Sequence, residues 1–187
     1  MPEPEFPERP ALAALRARRS HSRVTEEAPD REELEYLLSA MSSVSDHSAL
    51  KPWRIIEIRG AGREKLGKAL AKANGTSKDK GIAKAMRAPL VLAVVVSPKK
   101  SSKVPYWEQE SVASAVAHYL SLLLHEAGWG TMWRTGDAAR SKKIRKAHKL
   151  EKHEQLLGWI YVGGVRERDR RVKRRKPLDM ERHLSRM

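Results

Sequence analysis

The chain of 187 residues carries a formal charge of +15, a 40% hydrophobic share and a single phenylalanine, Phe6. That length suits one domain burying roughly 70% of the surface its unfolded form would expose, with Leu, Val, Ile and Ala doing most of the filling. The absence of cysteine excludes disulfides, thiolate nucleophiles and Cys-ligated zinc, and fits a reducing cytoplasm. The opening "MPEPEFPERP" is acidic and proline-rich, so neither a secretory signal nor a transit peptide is expected. No apolar stretch reaches the roughly 20 residues of a membrane span.

Residues 1–9 are expected to form a flexible segment and residues 10–187 a single domain, with no internal repeat and no second boundary. After Pro10, "ALAALRAR" predicts a short helix running into the cluster "RARRSHSR". Asp30 caps a second helix, Glu33 completes a capping box, and Leu34, Leu37, Leu38 and Met41 recur at the spacing of one buried face. The polar loop "SSVSDHSALKP" leads to a strand from Trp53, "WRIIEIR". Gly60 to Asn74 predicts a helix with a charged outer face, and "PLVLAVVV" from Pro89 a central strand apolar on both faces. A long helix from about Tyr106 to Ala127 is apolar nearly all round, so it must be covered on all sides, either in the middle of one chain or at a dimer interface. There follow a Gly-flanked turn, "GWGTMWRTG", a basic helix from Ala138 to His148, a strand from Leu156, "LLGWIYVG", and an extended basic tail from about residue 164.

Most chemical motifs fail on inspection. "GREKLGKA", Gly62 to Ala69, approximates a phosphate-binding P-loop, but Ala69 stands where a hydroxyl should hold magnesium, and helix-spaced Leu66 and Leu70 explain the segment better. His118 and His125 share a helix without an acidic partner at ligand spacing, so no metal site is expected. Neither a nucleophile elbow nor a dinucleotide fingerprint is present. An enzyme with this composition would draw its reactive group from a cofactor. From Arg166 to Lys176 the local net charge is +6, and such surfaces attract polyanions. A basic, non-enzymatic nucleic-acid-binding protein is therefore the competing class, disfavoured because the few aromatics form no base-stacking pattern.

Three stretches combine into a pattern: "RRSHSR" after the first helix, "SDHSALKPW" entering the first strand, and "WEQE" before with "WRTG" after the long helix. In this order, from Arg16 to Gly164, they resemble the nitroreductase-like flavoproteins, in their short YdjA-like branch. The resemblance implies an α+β fold of three layers, α-β-α, with a central mixed sheet flanked by helices. It further implies a cytoplasmic homodimer with FMN at the subunit interface and NADH or NADPH as reductant. Hydride would pass through flavin N5 to a nitroaromatic, quinone or similar acceptor, with no catalytic side chain. A flavin-binding protein of degenerate activity is an alternative on the same fold.

Carried onto this chain, the resemblance gives Arg18, Arg19 and Ser20 the FMN phosphate, for which forked guanidinium bonds and a small hydroxyl are suited. His47 matches a cofactor-contacting position. Trp133, Arg134, Thr135 and Gly136 would line the flavin from the other side, where a positive group stabilises its anionic reduced form. Leu123 to Gly128 corresponds to a nicotinamide-binding segment, and Arg174 or Arg175 would offer a further phosphate ligand. Two departures stand out: Lys51 replaces a common glutamine before Pro-Trp, and Ser43 replaces a basic residue.

Overall fold

The computed structural model describes residues 9–169 and 176–187. Pro10, whose missing N–H costs nothing in a first turn, opens α1 (Pro10–Ala17). Asp30 caps α2 (Arg31–Ser39), its carboxylate accepting from Glu33 N at 2.8 Å. The capping box is not closed reciprocally. Glu33 Oε1 instead accepts from the Trp129 indole at 2.7 Å, which ties α2 to the sheet.

A 3-10 turn (Ala40–Ser43) takes Met41 into the core before β1 (Trp53–Ile58). α3 (Ala61–Asn74) contains the P-loop-like stretch and stops at Gly75, which adopts φ 63°. α4 (Lys78–Ala85), capped by Ser77, is an addition to the expected elements. β2 (Leu90–Val96) is buried along its whole length and leads to α5 (Tyr106–Glu126). Where the Gly-flanked turn was expected, Trp129–Arg134 forms a strand, β3. The single basic helix divides into a 3-10 turn (Asp137–Arg140) and α6 (Lys142–Ala147), because Ser141 accepts from Ile144 N at 3.2 Å and starts a new helix. β4 (Gln155–Gly164) completes the sheet, and a single turn, α7 (Met180–His183), lies in the tail. Among the described residues no helix is long and apolar enough to cross a membrane.

The strands lie in the order β1-β2-β4-β3, and every pairing is antiparallel. The mixed character expected of the sheet is confined, among the described residues, to one parallel bridge between Ser20 and Thr131. The connections account for this. α3 and α4 form a hairpin that returns the chain to the end it left, so β2 reverses β1. α5 crosses once, making β3 parallel to β2, and β4 inserts between them with the opposite direction. Alternation along β2 then builds two cores. Val91, Ala93 and Val95 face Leu66, Leu70, Ala85 and Ile144 on the α3/α4/α6 side. Leu90, Leu92 and Val94 face Leu34, Val116, Leu120 and Leu124 on the α2/α5 side. These are the three layers.

α5 is covered on one side only. Val112, Ala113, Val116, Ala117, Leu120 and Leu124 are buried, while Trp107 is 67% and Tyr119 52% exposed on the outer face. Burial in the middle of a single chain is therefore not what this helix achieves.

α3 and α4 approach through glycine. A Cβ at Gly67 would lie 2.5 Å from Ile82 Cα, and one at Gly81 would meet the Gly67 carbonyl and the Ala71 backbone. Because the obstructing atoms include backbone, Gly81→Val should force the helices apart and cost about 1–3 kcal/mol, read as a lowered urea midpoint.

Candidate functional site

The site forms where the chain leaves α1. From Arg18 (φ −50°, ψ 132°) the backbone is extended, Ser20 bridges to Thr131 of β3, and His21 N donates to Thr131 O at 2.8 Å. In an extended segment alternate side chains point to opposite sides. Arg18 and Ser20 accordingly line a cleft of about 240 Å³ with His118, Leu122, Thr131 and Trp133. Arg19 and His21 line a larger cavity of about 520 Å³ with Glu27, His125 and Trp129. Arg19 also braces the chain locally. Its Nη1 donates to the carbonyls of Arg16, Ala17 and Arg18 at 2.5, 3.0 and 2.9 Å, satisfying orphan acceptors at the end of α1.

Burial pushes the His21 and His125 imidazoles below their ordinary pKa. Arg18 adds to both shifts, and at His21 Asp169 opposes them. Both rings are therefore neutral near pH 7.

Trp133 stands edge-on to His118, with ring centroids 4.9 Å apart. Its indole N–H is buried without a hydrogen-bond partner. Gly158 of β4 makes that seat: a Cβ there would lie 2.7 Å from Trp133 Nε1 and 2.5 Å from Arg134 O. Sequence reasoning missed Gly158, because its role depends on cross-strand approach rather than on a local motif.

The next residue turns away. In the β3–β4 ladder Trp133 pairs with Ile160 and Arg134 with Trp159, so their side chains leave opposite faces of the sheet. Arg134 stacks over the Tyr161 ring at 5.3 Å and lines, with Thr135, Gly136, Lys84 and Arg87, a cleft of about 220 Å³ on the α3/α4 side. The run Trp133 to Gly136 thus serves two clefts, with only Trp133 beside Arg18 and Ser20.

His47 is elsewhere again. Its Nδ1 is 2.9 Å from Glu108 Oε2 near the start of α5, and its side chain is 54% exposed. Glu108 lies eleven residues from Tyr119 of the Arg18 cleft, ~16 Å along a helix axis. The loop carrying His47 is strained: Ser48, Ala49 and Lys51 have φ of 63°, 49° and 47°, a conformation costing non-glycine residues of order 1–3 kcal/mol each. Asp46 Oδ2 holds it by accepting from Lys51 N at 2.6 Å. Ser43 lies in the wall of an apolar groove of about 310 Å³ whose Tyr119 and Leu122 also line the Arg18 cleft, so groove and cleft are continuous along the outer face of α5. Gln109, in the "WEQE" stretch, is structural. It is buried, accepting from Lys99 N at 2.8 Å and donating to the Lys99 and Val104 carbonyls. Arg174 and Arg175 lie outside the described residues.

Residues 15–164 match the model of the nitroreductase family. The chain belongs to that family. It is 37% identical over 160 residues, 82% of this chain and 87% of the other, to a protein of Escherichia coli K12 named "Putative NAD(P)H nitroreductase YdjA". This places it in the YdjA-like branch, as an oxidoreductase of the general flavin-dependent kind. A Haemophilus influenzae protein named "Putative NAD(P)H nitroreductase" is 29% identical over 169 residues, covering 86% of this chain and 91% of that one. Among solved structures, a nitroreductase-like family protein from Bacillus cereus superposes with a TM-score of 0.82 at 19% identity, covering 98% of each chain. An FMN-dependent nitroreductase from Clostridium difficile gives 0.64 at 22% identity, covering 91% of this chain and 93% of that one. The nitroreductase-like fold expected of the sequence is the fold the chain adopts.

Proposed function

We propose that the protein is an FMN-dependent, NAD(P)H-oxidising nitroreductase working as a cytoplasmic homodimer, with the flavin phosphate at Arg18 and Ser20. The observation that carries this reading is that residues from three distant stretches, Arg18 with Ser20, His118 with Leu122, and Thr131 with Trp133, line one cleft. Its polar wall supplies a guanidinium and a hydroxyl for a phosphate, and the orphaned Trp133 N–H is a donor awaiting an acceptor. FMN, named for one structural neighbour, and the coenzyme named for the relatives both carry phosphates that suit this donor set.

FMN held there would supply hydride chemistry between NADH or NADPH and a nitroaromatic, quinone or similar acceptor. The chain's own residues bind and orient. Arg18 neutralises and Ser20 hydrogen-bonds the phosphate, Arg19 holds the turn that presents them, and Trp133 bounds the ring system. The Arg134 side chain, on the opposite face of the sheet, is left out of that contact.

The uncovered face of α5 supports the dimer. Tyr119 and the half-buried Leu122 line one cleft with Leu15 of α1, and Trp107 is exposed nearer the start of the helix. A two-fold axis pairing two α5 helices head to tail would bring the partner's His47, which Glu108 holds near the start of α5, toward the Arg18 cleft near the other end. The single-chain distance between His47 and Arg18 is then what a shared site requires.

The test is a preparation in high salt followed by an absorption spectrum. A yellow protein that bleaches on adding NADH or NADPH is expected. A colourless protein that cannot be reconstituted with FMN and binds DNA with a steep salt dependence would overturn the reading.

A further inference from the structure

The cleft of about 220 Å³ on the α3/α4 side of the sheet is lined by three cations and one carboxylate, Asp137. Lys84 comes from α4, Arg87 from the link into β2 and Arg134 from the end of β3. Among the described residues none of the three has an ion-pair partner, and Arg134 Nε is buried without a hydrogen bond. The only other charged group lining the cleft among the described residues is Asp137, beside Asn74, Thr135, Gly136 and the rings of Trp159 and Tyr161, so a local excess of two positive charges remains.

Gathering like charges around a half-buried guanidinium is costly. The cost is legible in the Arg134 guanidinium, which burial, and then the charge of Arg87, holds below its ordinary pKa. Burial raises the Tyr161 phenol, so it keeps its proton. Arg31, by contrast, is paired with Glu35 and Glu57. Arg134 Nε is different in kind, because a buried orphan donor is satisfied by an ion or a ligand, and Lys84 and Arg87 stand beside it at the mouth of the cleft.

We propose that Lys84, Arg87 and Arg134 form a binding site for a small dianionic oxyanion, a phosphate or the phosphate of a small phosphomonoester, separate from the cleft of Arg18. Two guanidiniums, that of Arg134 held over the Tyr161 ring, suit forked contact with phosphate oxygens, and the lysine adds a third charge. Two net positive charges match a dianion. The volume lies below the roughly 300–1,000 Å³ of sites for drug-sized ligands, which leaves room for a phosphate bearing only a small organic group. Arg134 and Trp133 are consecutive in β3, so an anion on one face is one residue away from the tryptophan on the other.

The experiment is independent of the flavin reading, because it is run in the Arg18→Ala background, where the other phosphate seat is removed. Inorganic phosphate is titrated calorimetrically at constant ionic strength into Arg18→Ala and into the triple variant with Lys84→Ala and Arg87→Ala. Both added positions are exposed, and a thermal melt of each variant verifies folding. Saturable binding to the first protein, weakened at least tenfold in the second, is expected. Glycerol phosphate in place of inorganic phosphate tells whether an ester is preferred. No saturable binding in the Arg18→Ala protein, equal binding in both proteins, or an equal response to chloride would overturn the proposal.

Discussion

Arg18→Ala should weaken FMN binding about 10- to 100-fold, while Arg16→Ala, two residues away, should leave it within about twofold. Arg18 lines the same cleft as Ser20 and Trp133, whereas Arg16 is exposed in the last turn of α1. Charge-assisted hydrogen bonds contribute about 1.5–3 kcal/mol, and every 1.4 kcal/mol is tenfold in affinity. Quenching of FMN fluorescence on titration into apoprotein reads the difference directly. Equal flavin occupancy in the two variants would assign the phosphate to another part of the chain.

A second large effect is expected far from that cleft, at Glu154. Arg54 of β1 donates Nε to Glu154 Oε1 at 2.7 Å and Nη2 to Oε2 at 2.6 Å, and Oε2 also accepts from Glu151 N at 3.0 Å. Glu154 is only 3% exposed. Breaking a buried pair costs about 3–5 kcal/mol, and the partial exposure of Arg54 puts Glu154→Ala at the low end, with a fall in Tm of roughly 10 °C.

The same pair makes the protein acid-sensitive. The Arg54 guanidinium holds the Glu154 carboxyl at about 2, below its ordinary 4.5. A carboxyl depressed by folding contributes stability that is complete above pH 4.5 and disappears as pH falls toward 2. His148 adds an earlier window. Its Nδ1 lies 3.0 Å from Ile144 O and its Nε2 accepts from the Trp159 indole at 3.0 Å, an arrangement that requires the neutral ring. Burial lowers its pKa below 6.5, so stability declines as pH drops below 6.5. Urea midpoints from pH 7 to pH 3 should therefore fall in two stages, and Glu154→Ala should lack the lower one. An unchanged profile in that variant would remove Glu154 from the account.

Which features the sequence disclosed depended on the range of the forces involved. α2, α5, β1, β2 and β4 were legible because a cap, a periodic apolar pattern or an unbroken apolar run marks each one locally. α4 was not, since Gly81 lowers helix propensity and reveals its purpose only against Gly67. β3 was not, since "WGTMWR" is flanked by glycines and faces partly apolar surroundings on both sides, which erases the two-residue alternation. The site divided in the same way. Arg18 and Ser20 were singled out by their resemblance to a motif, and they line one cleft. Arg19 and Arg134 separate from them because each occupies the odd place in an extended segment, a consequence of backbone geometry that a motif written as consecutive letters conceals.

The sheet order carries a consequence for how the protein is made. β4 is the last strand in the chain, yet it lies between β2 and β3. Until Gln155–Gly164 has been synthesised, β3 has no strand to pair with, and one edge of the wholly apolar β2 is bare. The β1–β2 half, with its α3–α4 hairpin, can assemble first, while the segment bearing Trp133 must wait. A nascent chain halted before Gly164 would therefore present an unpaired apolar edge, a template for aggregation. The Arg18 cleft, to which β3 contributes Thr131 and Trp133, would be completed only once β4 has been made.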